Sequence, residues 1–284
     1  MIVVTGASGH VGRALVDQLL AQGAPVRAVT RDPDKAGLPA AAGTYRADLA
    51  ADDPGPLFDG ADALFVNLAA GGAPTCVRLV EAAAAAGVPR AVLLSSAGVT
   101  GTAEDADNAI AHMHSVVEQA VVASGMRWTF VRGGMFATNT LDWAGQIHAS
   151  GAVRGPNATS VSAPVHQDDL AAVAAAALLD DTGTHDGAVH HVTGPEALTP
   201  PQMLDIIGHA IGRHLRYVEL TRPEALAAMT ANGVPEPVAD AILDWSNADP
   251  ARTGVVSDAV KNVTGRPART FERWVTDNVE AFRR

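Results

Sequence analysis

Glycines at positions 6, 9 and 12, in Thr5-Gly6-Ala7-Ser8-Gly9-His10-Val11-Gly12, have the spacing of a chain that holds a diphosphate. One makes a tight turn after a strand. One lets backbone approach the phosphates, and the third lets helix and strand pack closely. A helix opening here points free N–H groups and a partial positive charge at an anion. Gly6, Ser8, Gly9, His10, Val11 and Gly12 are therefore candidate ligand contacts; His10 reads equally as a solvated loop histidine.

About twenty residues on, a second apolar run ends in Val29-Thr30-Arg31-Asp32. Dinucleotide sites that take NAD(H) place an acidic residue at this strand end, on the ribose 2′-hydroxyl. Here the place holds Arg31, whose planar fork suits a 2′-phosphate. NADP(H) is thus the expected cofactor, with NAD(H) the less favoured one, and Lys35 can add to the cation. A register slip would put Asp32 on the ribose instead. Asp48 either borders the adenine or caps a turn.

The elements that must position these groups alternate. Apolar runs at Ile2–Thr5, Val26–Thr30, Ala63–Leu68, Ala91–Ser95 and Trp128–Arg132, with a weaker run at Thr44–Arg46, read as buried strands. Helical patterns at Val11–Gln22, Thr75–Ala86 and Asp107–Ser124 stop at Gly23, Gly87 and Gly125. The expected fold class is α/β: a Rossmann-type, doubly wound parallel sheet over residues 1–150, with a smaller α/β substrate subdomain over 151–284. Segments around 165–195, with a helix over Gln167–Asp180 and a strand over Ala188–Val192, are expected to return to the Rossmann core. Gly151–Pro164 reads as turn-rich. Pro200–Gly212, Pro223–Asn232 and Pro267–Phe282 read as helices, the last presenting Phe271, Trp274, Val275, Val279 and Phe282 on one side.

Composition bounds the partners. Asp plus Glu number 31 against 20 Lys plus Arg, a net charge of −11, with no basic cluster to offset it. Nucleic acid and anionic membrane are therefore not expected partners, and no apolar stretch is long enough to span a bilayer. The first residues read as a buried strand and not a signal peptide. The lone Cys76 makes no internal disulfide and fits a reducing cytoplasm; it reads as packing. No metal site is expected: His112 and His114 stand two apart on a helix and do not share a face. His190 and His191, adjacent in a strand, should point to opposite faces. His166 with Asp168 and Asp169 reads as a helix-capping turn. No nucleophile elbow is present.

With these residues in view, the chain resembles the NmrA-like branch of the atypical short-chain dehydrogenases/reductases, which includes NADPH-dependent quinone reductases and redox-sensing regulators. The likeness runs through TGASGHVG, VTRDP, AGVPRAVLLSSAGV at Ala86–Val99, SGMRWTFVRGGMFATN at Ser124–Asn139, PVHQDDLA at Pro164–Ala171 and VTGPEALTPPQM at Val192–Met203. The resemblance implies that Asn67, Leu68 and Ala69 (with Ala70), and Ser95 and Ser96, lie beside the cofactor. It implies that Gly133–Phe136 lies near the nicotinamide. Ligands of open α/β sheets do sit beyond the carboxyl ends of the strands. Met135, Phe136 and Trp143 read either as the wall of an acceptor pocket or as ordinary core.

The family pattern breaks at one place. Counted back from Glu118, the lysine position of the wider superfamily's Tyr-x-x-x-Lys pair holds His114, and the tyrosine position holds Ile110. The usual proton relay is missing. His114 then holds the ribose or acts as acid, with Ser95 as the second polar candidate. The leading expectation is an NADPH-dependent reductase of a small apolar quinone, enone or carbonyl. The rivals are a non-catalytic NADP(H)-binding redox sensor with a regulatory protein partner, and a biosynthetic isomerase, dehydratase or cyclase. A homodimer is a further open expectation.

Overall fold

The computed structural model describes residues 1–283. Its elements run β1 (Ile2–Val4), α1 (His10–Ala21), β2 (Val26–Thr30), α2 (Pro33–Ala36), β3 (Gly43–Arg46), β4 (Ala63–Asn67), α3 (Gly72–Ala85), β5 (Arg90–Ser96), α4 (Ala109–Ala123), β6 (Arg127–Gly133), α5 (Ala144–Ser150), β7 (Ala152–Pro156), α6 (Gln167–Leu178), β8 (Ala188–Val192), α7 (Pro200–Ile211), β9 (Arg216–Leu220), α8 (Arg222–Ala231), α9 (Glu236–Ser246), α10 (Pro250–Thr253), α11 (Ala259–Thr264), α12 (Phe271–Asp277) and α13 (Glu280–Arg283).

Seven strands form one sheet in the order β3-β2-β1-β4-β5-β6-β8, and β7 and β9 form a second, two-stranded one. All pairs are parallel. The order reverses at β1, between β2 and β4, which is where such sheets open a crevice for a dinucleotide.

Alternation along the central strands divides the core in two. Ile2, Val4, Phe65, Val92 and Leu94 pack with Val11, Leu15, Leu19, Leu170 and Val173 under α1 and α6. Val3, Leu64, Val66 and Leu93 pack with Cys76, Leu79, Val80, Val117 and Val121 under α3 and α4. Cys76 is fully buried, and burial pushes its thiol up to about 12, so it is an inert hydrophobe as its setting suggested. Gly23, Gly87 and Gly125 each follow a helix with φ near +75°, the left-handed stop that glycine takes without strain.

The chain from Gln167 to Val192 contributes α6 to the α1 layer and β8 to the sheet beside β6. Arg90, buried at the start of β5, donates to the carbonyls of Leu178 and Asp180 and so closes the end of α6. A third core joins Ala137, Ile147, Val153, Met203, Ile207, Phe271, Trp274 and Phe282. Helices α8 and α9 meet in a small separate cluster around Leu220, Ala225 and Leu243.

Three regions differ from the sequence reading. The turn-rich Gly151–Pro164 contains β7, whose glycine and proline are tolerated because its sheet has only two strands and leaves it an edge. Arg216–Leu220 is its partner β9. The last helix is broken: α12 ends at Asp277, and the Asn278 side chain donates to the Trp274 carbonyl, which takes up an acceptor at that helix end.

Candidate nucleotide and acceptor site

The glycine loop leaves β1 and enters α1 with its three glycines in three different roles. Gly6 has φ +61°, and a Cβ there would lie 3.1 Å from Asn67 Nδ2. Gly9 is the N-cap of α1, with no side-chain cap on its free amides. A Cβ on Gly12 would sit 2.1 Å from the Gly6 carbonyl oxygen, so only glycine lets helix and loop close on one another. Ser8, Gly9 and His10 are exposed at the helix mouth, while Val11 is buried beneath it. Below, Thr5 Oγ1 donates to the Phe65 carbonyl at 2.9 Å and accepts from the Asn67 amide at 3.1 Å, tying the ends of β1 and β4. Asn67 Oδ1 accepts from the Ala69 amide at 3.0 Å, which shapes the turn Leu68–Ala70 beside Gly6. The residues fit a dinucleotide: uncapped amides, a cradle that a Cβ would fill, and a cation one strand away.

That cation is Arg31, exposed just after β2, with no hydrogen bond or ion pair among the described residues. Asp32, the register-slip alternative, is engaged by Lys35 at 3.1 Å and faces Arg46 at 4.0 Å. Lys35 is thus turned to its own neighbour and not left free beside Arg31. Asp48 caps a turn, one of the two roles open to it: its Oδ1 accepts from the Ala50 amide, and its own amide donates to Asp52.

At the β5–β6 edge the structure brings Ser95, Glu118 and Arg132 together. Ser95 and Arg132 are register partners on adjacent strands. Ser95 Oγ donates to Glu118 Oε1 at 2.6 Å, and Arg132 grips the same carboxylate through Nε at 2.9 Å and Nη2 at 2.6 Å. Arg132 Nη1 also donates to the Val99 carbonyl at 3.0 Å, holding the loop after β5. Ser95 is 2% exposed, so its hydroxyl belongs to the framework below the site and is not presented to a substrate. Ser96 accepts from the Gly98 amide at 3.1 Å and shapes the same loop. Further out, buried Asp105 accepts from Thr100 and Gly101.

His114 lies one helical turn before Glu118. Its Nδ1 stands 2.8 Å from the Ile110 carbonyl oxygen. A carbonyl only accepts, so Nδ1 carries the proton and Nε2 presents a lone pair. Burial holds this imidazole below the ordinary histidine range, against the opposing pull of the Ile110 bond and the Glu118 carboxylate. The neutral ring that this bond and burial favour presents an acceptor at Nε2.

The three acceptor-wall candidates separate. Met135 and Trp143 are half-buried on the third core, Met135 with Ser162 Oγ at 3.0 Å from its sulfur and Trp143 edge-on to Tyr217. Phe136 joins the α1–α6 layer instead, lying so close over Gly133 that a Cβ there would meet its ring at 2.5 Å. His166 is the N-cap of α6, its Nδ1 accepting from the Asp168 amide, and Asp169 holds the Arg269 amide and guanidinium. These are framework roles.

Sequence reasoning missed Arg13 and the buried partnership of Glu118. Each carried a signal: Arg13 puts a cation near a helix N-terminus, against the dipole, and Glu118 stands between Val117 and Val121 on an apolar face.

Residues 6–181 match the model of a family described as NAD(P)H-binding. The chain belongs to that family. It is 40% identical over 291 residues to the (4-alkanoyl-5-oxo-2,5-dihydrofuran-3-yl)methyl phosphate reductase of Streptomyces griseus, covering 99% of each chain. It is 35% identical to the NAD(P)H azoreductase of Xenophilus azovorans, again over 99% of each. In fold it is similar to an NADPH-dependent quinone oxidoreductase of Escherichia coli complexed with NADPH, with a TM-score of 0.79, 24% identity and 99% of each chain covered. The likeness to NmrA-like reductases read from the motifs is borne out at this level, and the chain is an NAD(P)H-dependent oxidoreductase. Among the described residues no helix is long and apolar enough to cross a membrane.

Proposed function

We propose that the protein is an NADPH-dependent reductase of small, planar, conjugated acceptors: quinones, enones or similarly activated carbonyls. The observation that carries this reading is the His114 ring, which offers a lone pair where the wider superfamily keeps a proton-relay lysine. A site without an acid favours acceptors that do not need one. Reduced nicotinamide, when bound, would supply a hydride, one proton with two electrons. An acceptor that takes the hydride at one end of its conjugated π-system would gather the displaced π-electron pair on oxygen, and the delocalised oxyanion would take its proton from water.

The chain's own residues then bind and orient. The amides at the start of α1 hold the diphosphate. Arg31 receives the 2′-phosphate; a charge-assisted bond of this kind contributes roughly 1.5–3 kcal/mol. His114 Nε2 accepts from a ribose hydroxyl. The Ser95–Glu118–Arg132 network fixes the rotation of α4 and the loop after β5, so that His114 keeps its place. Met135 and Trp143 form the apolar wall that aligns the acceptor, and much of the rate comes from that alignment. Names of full-length relatives, an unsaturated furanone phosphate reductase and an azoreductase, support conjugated acceptors as a class.

Loss of NADPH absorbance with a panel of quinones and enones tests the reading. Turnover is expected for several members, with NADPH preferred over NADH. Intact NADPH binding with no turnover above background for any acceptor would overturn it.

A further inference from the structure

The guanidinium of Arg13 joins two loops that belong to different ends of the nucleotide. Arg13 follows Gly12 in the first turns of α1. Its Nη1 donates to the Gly37 carbonyl at 2.6 Å. Its Nη2 donates to the Ala36 carbonyl at 2.5 Å and, more weakly, to the Ser8 carbonyl at 3.4 Å. Ser8 is part of the phosphate loop. Ala36 and Gly37 close the turn α2 that begins just after Arg31. Gly37 sits at φ +57°, and a Cβ there would stand 3.4 Å from Arg13 Nη1, so the contact is close as well as triple. One rigid plane with five donors can serve three carbonyls at once; an ammonium on a flexible stem cannot hold that geometry.

Charge points the same way. In a chain whose net charge is −11, the segment joined by Arg13 carries Arg31 and Lys35, with Arg46 on the neighbouring strand, against Asp32 and Asp34. Both carboxylates face Arg46, and Asp32 also binds Lys35. Arg31 alone of the four has no partner among the described residues. In NADP(H) the distance from the diphosphate to the 2′-phosphate is fixed by one ribose. The two loops must therefore stand at one separation to bind both groups, and a loop already held there loses less entropy on binding.

We propose that Arg13 is a positioning residue for NADP(H) selection: it clamps the loop carrying Arg31 to the glycine loop and so sets the span between diphosphate and 2′-phosphate. This rests on the reading of Arg31 as the 2′-phosphate ligand.

The test is a double-mutant cycle read as dissociation constants for NADPH and NADH, by fluorescence titration of wild type, Arg13→Ala, Arg31→Ala and the double variant. Arg31→Ala is expected to weaken NADPH by about 10- to 100-fold, the equivalent of one charge-assisted bond, and to spare NADH. Arg13→Ala should weaken NADPH by about tenfold and NADH by less than about threefold, and should add little once Arg31 is gone. Arg13→Lys should restore little. Arg13→Gln, which keeps the stem and one donor group, serves if the alanine variant fails to fold; it should show the same NADPH-selective loss. Equal losses for the two nucleotides would make Arg13 a structural brace only and overturn the proposal. Full additivity with Arg31→Ala would also overturn it, since Arg13 would then act independently. Wild type binding NADH as tightly as NADPH is the separate outcome that removes the cofactor reading itself.

Discussion

At the β1–α1–β2 edge the groups of the candidate site are mostly main chain: uncapped amides at Gly9 and beyond, a left-handed turn at Gly6, a missing Cβ at Gly12. At the β5–β6 edge they are side chains whose places are fixed by contacts distant in sequence. Arg132 reaches back to Val99, Met135 touches Ser162, and Trp143 leans on Tyr217. A main-chain site is written in local spacing and tolerates few side chains. A side-chain site is written in the packing of remote segments, and its surface can vary while its supports stay.

The sharpest way to break this contrast lies in the supports of the second edge. Glu118→Ala leaves Arg132 without its carboxylate in a buried setting. Removing one partner of a buried pair costs about 3–5 kcal/mol, so a large fall in the denaturation midpoint is expected, well beyond that of a surface variant. A change under about 1 kcal/mol would show that the pair is replaceable and that the edge is held otherwise.

Gly12→Ala probes the main-chain edge. Overpacking typically costs about 1–3 kcal/mol, and the upper end or more is expected here because the obstacle is the Gly6 carbonyl and not a mobile side chain. NADPH titration should show at least a tenfold loss, with melting as the parallel readout. Near-normal binding would mean that the loop can open without harm.

Smaller effects should come from acidification. His114 and His166 are both held below the ordinary histidine range by burial. His114 is opposed by Glu118; His166 is opposed by Asp168, Asp169 and Asp277 and joined by Arg269. Unfolding lets both regain ordinary proton affinity near pH 6.5, so the unfolded chain binds more protons below that value. Stability is full above about pH 6.5 and declines as the pH falls through it and below. Urea midpoints across pH 5–8 check this; a midpoint constant across that range would contradict it.

The smallest expected effect is at the acceptor wall. Met135→Ala removes a half-buried side chain from the third core, where the proposed acceptor wall lies. It should raise the acceptor KM several-fold while leaving the NADPH dissociation constant within about twofold, the mark of lost uniform binding. Steady-state kinetics with a saturating nucleotide separates the two.

The same contrast explains what was legible in the sequence. The glycine loop, the five central strands and the stops at Gly23, Gly87 and Gly125 depend on neighbours a few residues apart, and their patterns are local. Arg31 could be placed because it immediately follows a strand end. Phe136 could not be assigned to the α1–α6 layer, because that depends on Gly133 and Leu170 standing beside it. Ser95 could not be separated from an active-site serine, because what consumes its hydroxyl is Glu118, on the next helix. The Asp48 turn required the geometry of Asp52. Strands β7 and β9 were hidden since a two-stranded sheet imposes little hydrophobic alternation, and each carries polar residues that remain outside the core.

Helix α4 carries two duties on successive turns. Glu118 anchors it from below, and His114, a turn earlier, is the residue proposed to meet the ligand. The anchor does not depend on what the ligand-side residue is. A single exchange at position 110 or 114 can therefore re-equip the socket with a new reagent while its mounting is left untouched, which makes this helix a cheap place for a lineage, or an engineer, to change the chemistry of the fold.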